Sequence, residues 1–428
     1  MKPLDPKVLD EKRRWSSKIF FLMATIGFAV GLGNIWRFPY VAGESGGGAF
    51  VLLYLLFAFS IGVPIVIAEI LIGRRGRSGA VGSLKALVGE EKVSSLWVGV
   101  GYLNQIAALL IQVTYAVIAG WVLLYFFRAL ATGFVGIDPE SAGKEFQAVT
   151  NDLIGMLFWT TLSIALCGYV LYSGLKRGIE RAVGLMMPTL FIVLVILIGF
   201  NFFAGGFYEA LDWLFRPDFS MISMEICLAA LGQAFFSIGV AMAVMMTYGS
   251  YLPKDTNVVS SAVTIVFADT LVAVLAGLVI FPVVFSNHLD PAAGPGLIFQ
   301  VLPVAFSLMP GGHFFGVLFF LLLSVAAITS MIGLLESLVF WIENSFGYSR
   351  PKSTLLVVGA NIFLSAISVF AYAGFGDWWT LDISFNDLLD YVSNQILLPL
   401  GGLLIAVFSG WFISRNSSQS ELNQEYES

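Results

Sequence analysis

The chain has 428 residues, of which 58% are hydrophobic and only 12% are charged, and its mean hydropathy is +0.88. Soluble domains contain about 45–50% apolar and about 25% charged residues, so this composition excludes a soluble globular domain and indicates a protein embedded in lipid. The net charge of −6 and the lack of a basic stripe argue against nucleic acid as a partner.

Apolar stretches follow one another along almost the whole chain. A helix that crosses a bilayer needs about 20 mostly apolar residues. By this criterion the sequence predicts an all-α polytopic membrane protein with about ten spans, which begin near Ile19, Phe50, Leu96, Leu153, Val183, Ile226, Val258, Phe314, Leu355 and Leu388.

The basic residues are distributed unevenly between the loops. Of the 22 Lys and Arg, only Arg128, Lys144 and Arg216 fall in loops on one side, and Arg37 lies within a span. Because loops rich in Lys and Arg stay in the cytoplasm, we expect a multi-pass protein of the inner (plasma) membrane with both termini cytoplasmic.

The spans divide the chain into four parts. Residues 1–18 form a cytoplasmic N-terminal segment, 19–205 the first five spans, 206–414 the second five, and 415–428 a cytoplasmic tail. We interpret the tail, and the acidic segment with Asp377, Asp382 and Asp387, as solvated surface.

Two spans contain residues that a membrane helix normally avoids. The first carries three glycines, an asparagine, an arginine and a proline within residues 27–39. A kinked helix packed closely on a neighbour would explain the glycines. Arg37 favours a functional site, because a charge inside the membrane is costly. The sixth span is interrupted in a similar way, at residues 232–241.

The two interrupted spans each begin a set of five, and a set of five enters the membrane inverted relative to the preceding one. Matching broken helices in two inverted halves are typical of the central site of a secondary transporter. Backbone carbonyls freed in such a break can bind a cation, and the N-terminus of a half-helix can bind an anionic group. An amino acid zwitterion bound together with sodium suits such a site, which can hold both a cation and an anionic group.

The sequence supports other classes of protein less well than a transporter. An enzyme needs a nucleophile–base pair or a metal cluster, yet His288 and His313 are the only histidines and fall in or beside outer loops. Residues 43–48 lack the Gly-Lys-Ser/Thr ending of a phosphate-binding loop. We therefore expect no enzymatic activity and no catalytic residues. A channel and a substrate-sensing membrane receptor remain alternatives, because both reuse such scaffolds.

Five stretches read together as a family signature: 31–40 (GLGNIWRFPY), 46–50 (GGGAF), 232–237 (GQAFFS), 247–251 (TYGSY) and 399–403 (PLGGL). With them the chain resembles the neurotransmitter:sodium symporter family, in its branch of bacterial amino acid transporters. The resemblance implies a leucine-transporter-like fold with 5+5 inverted repeats and broken helices 1 and 6. Family members generally have eleven or twelve spans, whereas this chain has about ten by the length criterion.

The resemblance implies two sodium sites, each built from oxygen atoms as a hard cation requires. The first uses the carbonyl of Ala29 with Asn34, Ser237, Asp269 and the carboxylate of the substrate. The second uses the carbonyls of Gly27, Val30 and Ala326 with the hydroxyls of Thr329 and Ser330. Taken alone, such hydroxyls often bond only to their own helix.

The resemblance also implies where an amino acid binds. Its carboxylate would contact the amides of Leu32 and Gly33 and the hydroxyl of Tyr115, and its amine the carbonyls of Ala29, Phe236 and Ser237. The implied substrate-binding residues are Phe28, Ala29, Leu32, Gly33, Ile111, Tyr115, Phe236, Ser237, Gly239, Met242, Ser330 and Leu334.

Two gates follow from the same resemblance. Toward the outside, Phe236 and Tyr115 would form an inner lid directly over the substrate, and Arg37 with Asp390 would form an outer lid. On the inner side the family pairs a basic residue before Trp15 with an acid on helix 8, but Asn344 stands at that position. Glu343 or Glu336 is then expected to pair with Lys12 or Arg13, with Ser250 and Tyr251 completing the cluster. Glu69 is similar to a family glutamate that braces the helix-6 break.

Three departures from the family pattern bear on function. Asp269 stands where many members carry Asn, and a fixed carboxylate there replaces the charge of a chloride ion, binds a proton on the return step, or is only a stronger sodium ligand. Gly31 stands where monoamine transporters carry Asp, so a substrate with its own carboxylate is expected. Gly239 and Met242 favour a large hydrophobic or aromatic side chain.

These observations predict a secondary active sodium:amino acid symporter that works by alternating access without a chloride requirement. The alternatives are a receptor or a transporter of another small carboxylate-bearing amine. The expected partners are the amino acid, two sodium ions and the bilayer, with no nucleic acid.

Overall fold

The computed structural model describes residues 14–253, 256–292, 294, 296–374 and 383–422. Within these ranges the chain forms helices and connecting turns, with no β-strand. Lys12 and Arg13, two of the predicted inner-gate residues, lie outside the described residues, as do Asp377 and Asp382.

The first part of the chain forms eight helices up to the end of the fifth predicted span. Their bounds are α1 (Lys18–Ala29), α2 (Gly33–Glu44), α3 (Gly48–Gly76), α4 (Ala80–Glu91), α5 (Ser95–Thr132), α6 (Pro139–Asn151), α7 (Leu153–Tyr172) and α8 (Leu175–Phe203). The remainder forms α9 (Phe207–Phe215), α10 (Met224–Ile238), α11 (Val244–Ser250), α12 (Val258–Ser286), α13 (Leu297–Leu308), α14 (Gly312–Phe346), α15 (Arg350–Tyr372), α16 (Phe385–Phe412) and α17 (Arg415–Leu422).

Each predicted span coincides with a long helix or with an interrupted pair of helices. Among the described residues, eight helices are long and apolar enough to cross a bilayer, namely α3, α5, α7, α8, α12, α14, α15 and α16. The pair α1 and α2, bent by 44° between its two parts, makes a ninth span. At the remaining predicted span, α10 is apolar but has only 15 residues and is short for a span by itself, and α11 follows it after a break of five residues.

The first span breaks between Ala29 and Gly33 because the backbone there passes close to other helices. A Cβ atom added to Gly31 would overlap the hydroxyls of Ser330 and Tyr115. Helix α2 starts in wide π-type turns over Gly33–Arg37. The absence of a side chain at position 31 therefore lets the unwound backbone approach α5 and α14.

The sixth span breaks over five residues between Ile238 and Val244. Three of them have positive φ, namely Gly239 (74°), Ala241 (60°) and Ala243 (61°). Glycine adopts this conformation freely, whereas alanine pays about 1–2 kcal/mol for it. The carboxylate of Glu69 on α3 accepts a hydrogen bond from the Ala241 amide at 3.1 Å, which stabilises the unwound backbone. This contact is the one that the family resemblance leads us to expect.

The packing of the helices brings the two breaks together in the middle of the protein. Helix α14 lies along α5 and also contacts α1, while α12 contacts the start of α2 and α10. Helix α11 packs on α3. The unwound segments are thus enclosed by α5, α12 and α14.

The expectation that the tail is solvated holds for Arg415, Asn416, Gln419 and Ser420, which are exposed, and is wrong for Ser417 and Glu421. Helix α17 is docked on the protein, and its Ser417 and Glu421 are buried. Arginines at the end of α3 bind this helix. The sequence of the tail alone does not reveal these contacts. Asp387 is exposed, in agreement with a solvated acidic surface.

Candidate functional site

A cluster of buried oxygen and nitrogen atoms joins the two broken spans to α12. The Asn34 side-chain amide donates to both the side-chain and the backbone oxygen of Asp269, each at 2.8 Å, and to the Ser237 hydroxyl at 3.1 Å. Ser237 donates to the other Asp269 carboxylate oxygen at 2.8 Å. Asn34 and Asp269 are fully buried. The structure therefore brings together the three side chains of the first predicted sodium site.

Tyr54 on α3 extends this cluster and was not identified from the sequence. Its hydroxyl lies 3.2 Å from the Ser237 hydroxyl and 3.5 Å from an Asp269 carboxylate oxygen. It is a fully buried tyrosine in the second span. It is identified as part of the site only because its hydroxyl lies close to Asp269 and Ser237.

The chemistry of this cluster suits a hard monovalent cation as cargo. Its members offer carboxylate, amide and hydroxyl oxygens, which are the ligands that such cations prefer. Among the described residues, the ion pairs do not include one for Asp269. A buried carboxylate is costly unless a cation or a proton balances it. The cluster thus contains a buried carboxylate whose charge a cation or a proton would balance.

The second predicted sodium site lies where α1 meets α14. The Thr329 hydroxyl donates to the carbonyls of Val325 and Ala326, each at 3.0 Å, and the Ser330 hydroxyl donates to the Phe28 carbonyl at 2.7 Å. A Cβ on Gly27 would lie 3.5 Å from the Thr329 Cβ. The break of the first span and the two hydroxyls are therefore adjacent, with both hydroxyls engaged by backbone carbonyls.

Most of the predicted substrate-binding residues line one small cavity of about 20 Å³ between the two breaks. Its walls are Phe28, Ala29, Gly31, Gly33, Ile111, Tyr115, Phe236, Gly239, Met242, Ser330 and Leu334. Of the predicted set, Leu32 and Ser237 lie outside this lining. The Leu32 amide donates to the Tyr115 hydroxyl at 2.8 Å, so the predicted carboxylate contacts of Leu32 and Tyr115 are now made with each other.

The Phe28 ring is the reason that this cavity is so small. It lies against the two glycines Gly239 and Gly333, where an added Cβ would overlap or crowd it. A volume of about 20 Å³ is close to what a single water needs. Gly333 does not line the cavity but packs against the Phe28 ring, and it was not predicted from the sequence because its role depends on the position of that ring. A guest larger than a water molecule does not fit the cavity in this arrangement.

A second, larger cavity of about 650 Å³ leads away from the small one. It runs toward the loops that the distribution of Lys and Arg predicts to lie on the outer side of the membrane. Leu32, Trp36, Arg37, Tyr372 and Asp390 line it, with other residues of α5 and α16. Ile111, Tyr115 and Phe236 line both cavities. Tyr115 and Phe236 therefore stand between them, in the position predicted for a lid.

Arg37 is held at the boundary of these cavities. Its guanidinium carbon lies 4.8 Å from the centre of the Phe236 ring, and one of its nitrogens is 3.4 Å from the Gln233 side-chain oxygen. Gln233 in turn donates to the Gly33 carbonyl at 2.7 Å. Asp390 accepts from the Asn394 amide at 2.6 Å. The ion pairs of the described residues do not include Arg37 with Asp390, so this predicted gate is open across the larger cavity.

The opposite end of the site is closed by Trp15. Its indole nitrogen donates to the Tyr248 carbonyl at 3.0 Å, and its backbone amide donates to the Tyr251 carbonyl at 3.1 Å. Its ring packs edge-on against the rings of Phe21, Tyr248 and Tyr251. Trp15 thus seals the start of α1 against the end of α11.

Two acids on α14 share one arginine at this closed end. Arg350, at the start of α15, pairs with Glu336 and, at 3.4 Å, with Glu343. The Tyr251 hydroxyl donates to Glu336 at 2.7 Å. Arg350 was not predicted as a partner of these acids. The predicted partners Lys12 and Arg13 lie outside the described residues, so their pairing stays a prediction.

The other predicted members of this end have local partners. Ser250 donates to the Thr247 carbonyl at 2.6 Å, and Asn344 donates to the Ser78 hydroxyl at 3.1 Å. Glu180, at the start of the fifth span, accepts from the Ser16 amide at 2.7 Å and was missed. The signal in the sequence that could have indicated Glu180 is its position as an acid among the basic residues that precede a span.

Comparisons with known proteins extend over nearly the whole chain. A sequence model described as the Sodium:neurotransmitter symporter family matches residues 12–135 and 144–424. A Bacillus subtilis protein named uncharacterized sodium-dependent transporter YhdH is 36% identical, over 96% of this chain and 90% of that protein. An uncharacterized sodium-dependent transporter of Haemophilus influenzae is 35% identical, over 96% of this chain and 92% of that protein.

A solved structure is similar as well. The crystal structure of MhsT in complex with L-phenylalanine has a TM-score of 0.88 and 38% sequence identity, covering 96% of this chain and 92% of that one. The residues that the family model matches include both helix breaks and the polar cluster around Asp269.

Proposed function

The chain belongs to the Sodium:neurotransmitter symporter family, and from this premise we propose that it imports a large hydrophobic or aromatic amino acid together with sodium. The observation that carries the proposal is the meeting of both helix breaks at one point. There the oxygen cluster of Asn34, Ser237 and Asp269 lies beside an apolar pocket lined by Phe28 and Met242.

The chemistry of the pocket favours a substrate that brings its own carboxylate. The position at Gly31 has no acidic side chain to hold an amine, and a Cβ there would already overlap Ser330 and Tyr115. Free backbone amides at the start of a half-helix suit a carboxylate, and backbone carbonyls suit an ammonium group. The Leu32 amide and the Tyr115 hydroxyl, which contact each other at 2.8 Å, are the donors that a carboxylate would engage.

The preference for a large side chain rests on Gly239, Gly333 and Met242. The two glycines leave room that the Phe28 ring now fills, and methionine adapts its shape to different guests. MhsT, which resembles the whole chain, binds L-phenylalanine in its crystal structure. We infer that an aromatic or large aliphatic side chain displaces the Phe28 ring into a new rotamer as it enters.

The proposed mechanism starts from a site that is open at one end and closed at the other. In the present arrangement the larger cavity reaches Tyr115 and Phe236 from one side, while Trp15 and the Arg350 pairs seal the other. Sodium and the amino acid enter together, and the substrate carboxylate completes the ligand set around the first ion. Closure of the Phe236 lid and release of Trp15 then expose the site to the cytoplasm. The inner membrane, the cytoplasmic termini and a second sodium ion near Thr329 belong to the same proposal.

We further propose that transport needs no chloride, because Asp269 already provides the negative charge beside sodium. The carboxylate is fully buried and bound by Asn34 and Ser237. A neutral side chain there would leave the substrate carboxylate as the sole negative charge among the proposed ligands of the first sodium ion.

The experiment that tests both proposals is uptake of labelled amino acids into proteoliposomes with an inward sodium gradient in chloride-free gluconate buffer. Sodium-driven uptake of phenylalanine, tryptophan, tyrosine or leucine supports the substrate class and the chloride claim together. Folded protein that takes up no amino acid contradicts the substrate class, and uptake that appears only with chloride contradicts the role of Asp269. In the Asp269→Asn variant, we expect uptake to become chloride-stimulated.

A further inference from the structure

Arg74, at the cytoplasmic-side end of α3, is a buried arginine that the transport site does not use. Its side chain is 0% exposed. One nitrogen donates to the Glu421 carboxylate at 2.8 Å, a second to the Thr256 carbonyl at 2.7 Å, and the third to the Glu421 carbonyl. Among the described residues, the hydrogen bonds of this guanidinium thus go to the tail helix α17 and to the loop between α11 and α12.

The two arginines beside it strengthen the same junction. Arg75 donates to the Ser417 carbonyl at 3.2 Å and lies 3.6 Å from the Glu421 carboxylate, and it also pairs with Glu90 on α4. Arg77 donates to the Leu252 carbonyl at 2.6 Å. The end of α3 therefore connects the tail helix with the backbone that follows α11.

That backbone is the one on which Trp15 closes. Trp15 bonds to the carbonyls of Tyr248 and Tyr251, and Arg77 and Arg74 bond to carbonyls at Leu252 and Thr256, just downstream. A guanidinium does not deprotonate in proteins, so Arg74 stays buried only while its partners stay in place. If Glu421 departs, Arg74 must reach water, and the segment after α11 has to open with it.

We propose that Arg74 is a positioning residue of the inner gate, and that the carboxylate of Glu421 on the docked tail helix holds it there. The docked tail stabilises the arrangement in which Trp15 is sealed against α11. Undocking of α17 favours release of Trp15 and the inward-facing arrangement. The tail thereby sets the balance between the two sides of the transport cycle.

Hydrogen–deuterium exchange of the full chain in sodium buffer tests this without any substrate, so its outcome is independent of the proposed amino acid. We expect Glu421→Gln to raise deuterium uptake in residues 15–29 and 244–257 as well as in the tail. Gln419→Ala, an exposed position on the same helix, is the matched control and should match the wild type. Increased exchange confined to residues 415–422, or no change, would overturn the proposal.

Transport kinetics supply a readout that a merely structural role would not move. For Glu421→Gln we expect the apparent sodium half-saturation concentration to rise at least about fivefold with little change in maximal rate, a usual size for coupling between sites. Glu421→Asp, which keeps the charge, should restore part of the sodium affinity. An equal loss of maximal rate in both variants, without a shift in sodium dependence, contradicts a positioning role.

The wild type alone gives a further test if the variants do not fold. On replacing sodium with potassium, the tail and the segments around Trp15 and α11 should gain exchange together. A tail whose exchange does not change while that of the gate does would refute the coupling.

Discussion

Phe28 occupies the space between two glycines at the centre of the protein. A Cβ atom added to Gly333 would lie 2.7 Å from one ring carbon of Phe28 and 3.0 Å from its Cβ. The volume of the side-chain pocket is therefore decided by one ring and by the absence of two methyl groups. Changes of a single methyl group in such a pocket are expected to alter substrate preference rather than folding.

We predict that Gly333→Ala raises KM for phenylalanine and other large amino acids by about tenfold, a usual effect of one methyl group in an apolar pocket. The added methyl blocks the path that the Phe28 ring takes as a large side chain enters. KM for alanine should change much less. Uptake kinetics for both substrates in proteoliposomes provide the measurement.

Gly359→Ala on α15 is the matched control, because a Cβ there meets no atom within 4 Å. It should leave the kinetics of both substrates unchanged. If Gly333→Ala behaves like Gly359→Ala, the Phe28 ring does not limit the size of the pocket.

At the scale of elements, the two breaks differ in what keeps them unwound. The first is flanked by glycines and by the hydroxyls of Ser330 and Tyr115, and its backbone bonds run to Asn34 and Tyr115. The second places two alanines at positive φ and relies on Glu69. Strained non-glycine positions persist only when the surroundings hold them, so the second break depends more on its neighbours.

We predict that Glu69→Leu destabilises the protein by about 1–3 kcal/mol, since it leaves the buried Ala241 amide without an acceptor. Sodium-dependent uptake should fall with it, because the pocket residues Gly239 and Met242 belong to the same break. Thermal denaturation of the purified protein and uptake assays measure the two effects.

Glu69→Gln keeps an oxygen acceptor of nearly the same shape and is the control. It should retain most of the thermal stability. Equal stability of the Leu and Gln variants would mean that the hydrogen bond to Ala241 does not support the break.

At the scale of the whole molecule, the site is open at one end and closed at the other. The closed end combines Trp15 with the buried acids Glu336 and Glu343 and the arginine at the start of α15. Trp15 lies just before α1 and contacts α11, the two acids lie on α14, and the arginine begins α15. Their separation is the movement that alternating access requires.

We predict that Arg350→Ala lowers stability by about 3–5 kcal/mol, because it removes the guanidinium that pairs with two buried carboxylates. It should also favour the inward-facing arrangement and reduce sodium-driven uptake. Thermal denaturation and exchange of the segment around Trp15 measure these changes.

Lys352→Ala on the same helix is the control, since the exposed Lys352 contacts the Tyr348 ring at 3.5 Å and lies away from the acids. Adding Glu336→Gln to Arg350→Met should recover part of the stability, because it removes one of the two buried carboxylates that the loss of the guanidinium leaves unpaired. Wild-type stability of Arg350→Ala would refute a closing role for this pair.

Much of the architecture was predictable because lipid imposes a simple rule on sequence. Spanning helices must be long and apolar, so the ten apolar stretches coincide with helices or interrupted pairs, and departures from the rule located both breaks. The family resemblance and the all-α polytopic fold with broken helices are confirmed by the match to the family and to MhsT. The division of the chain at residues 205 and 206 stays a prediction.

The residues around the substrate and the ions were predictable only to the extent that short motifs carry them. Asn34, Ser237 and Asp269 lie in or near recognisable stretches, and the structure brings them within hydrogen-bonding distance. Tyr54, Gly333 and Arg350 lie in no such motif, and Glu180 is indicated only by the basic residues around it. Tyr54, Gly333 and Glu180 each contact a neighbour more than 100 residues away in the chain, and periodicity carries no information about such neighbours. Arg350 pairs with acids 14 and 7 residues before it, across the turn between α14 and α15, where helical periodicity does not extend.

The sequence by itself determined the class of the protein, its spans, the position of its broken helices and its family, because burial in lipid and helix geometry act locally along the chain. Only the tertiary structure decided that Phe28 fills the pocket, that Arg350 pairs with the acids of α14, and that the tail docks on Arg74. These features depend on side-chain direction and on which helices touch. A buried ring or charge takes its role from what surrounds it, and those surroundings exist only after the helices have packed.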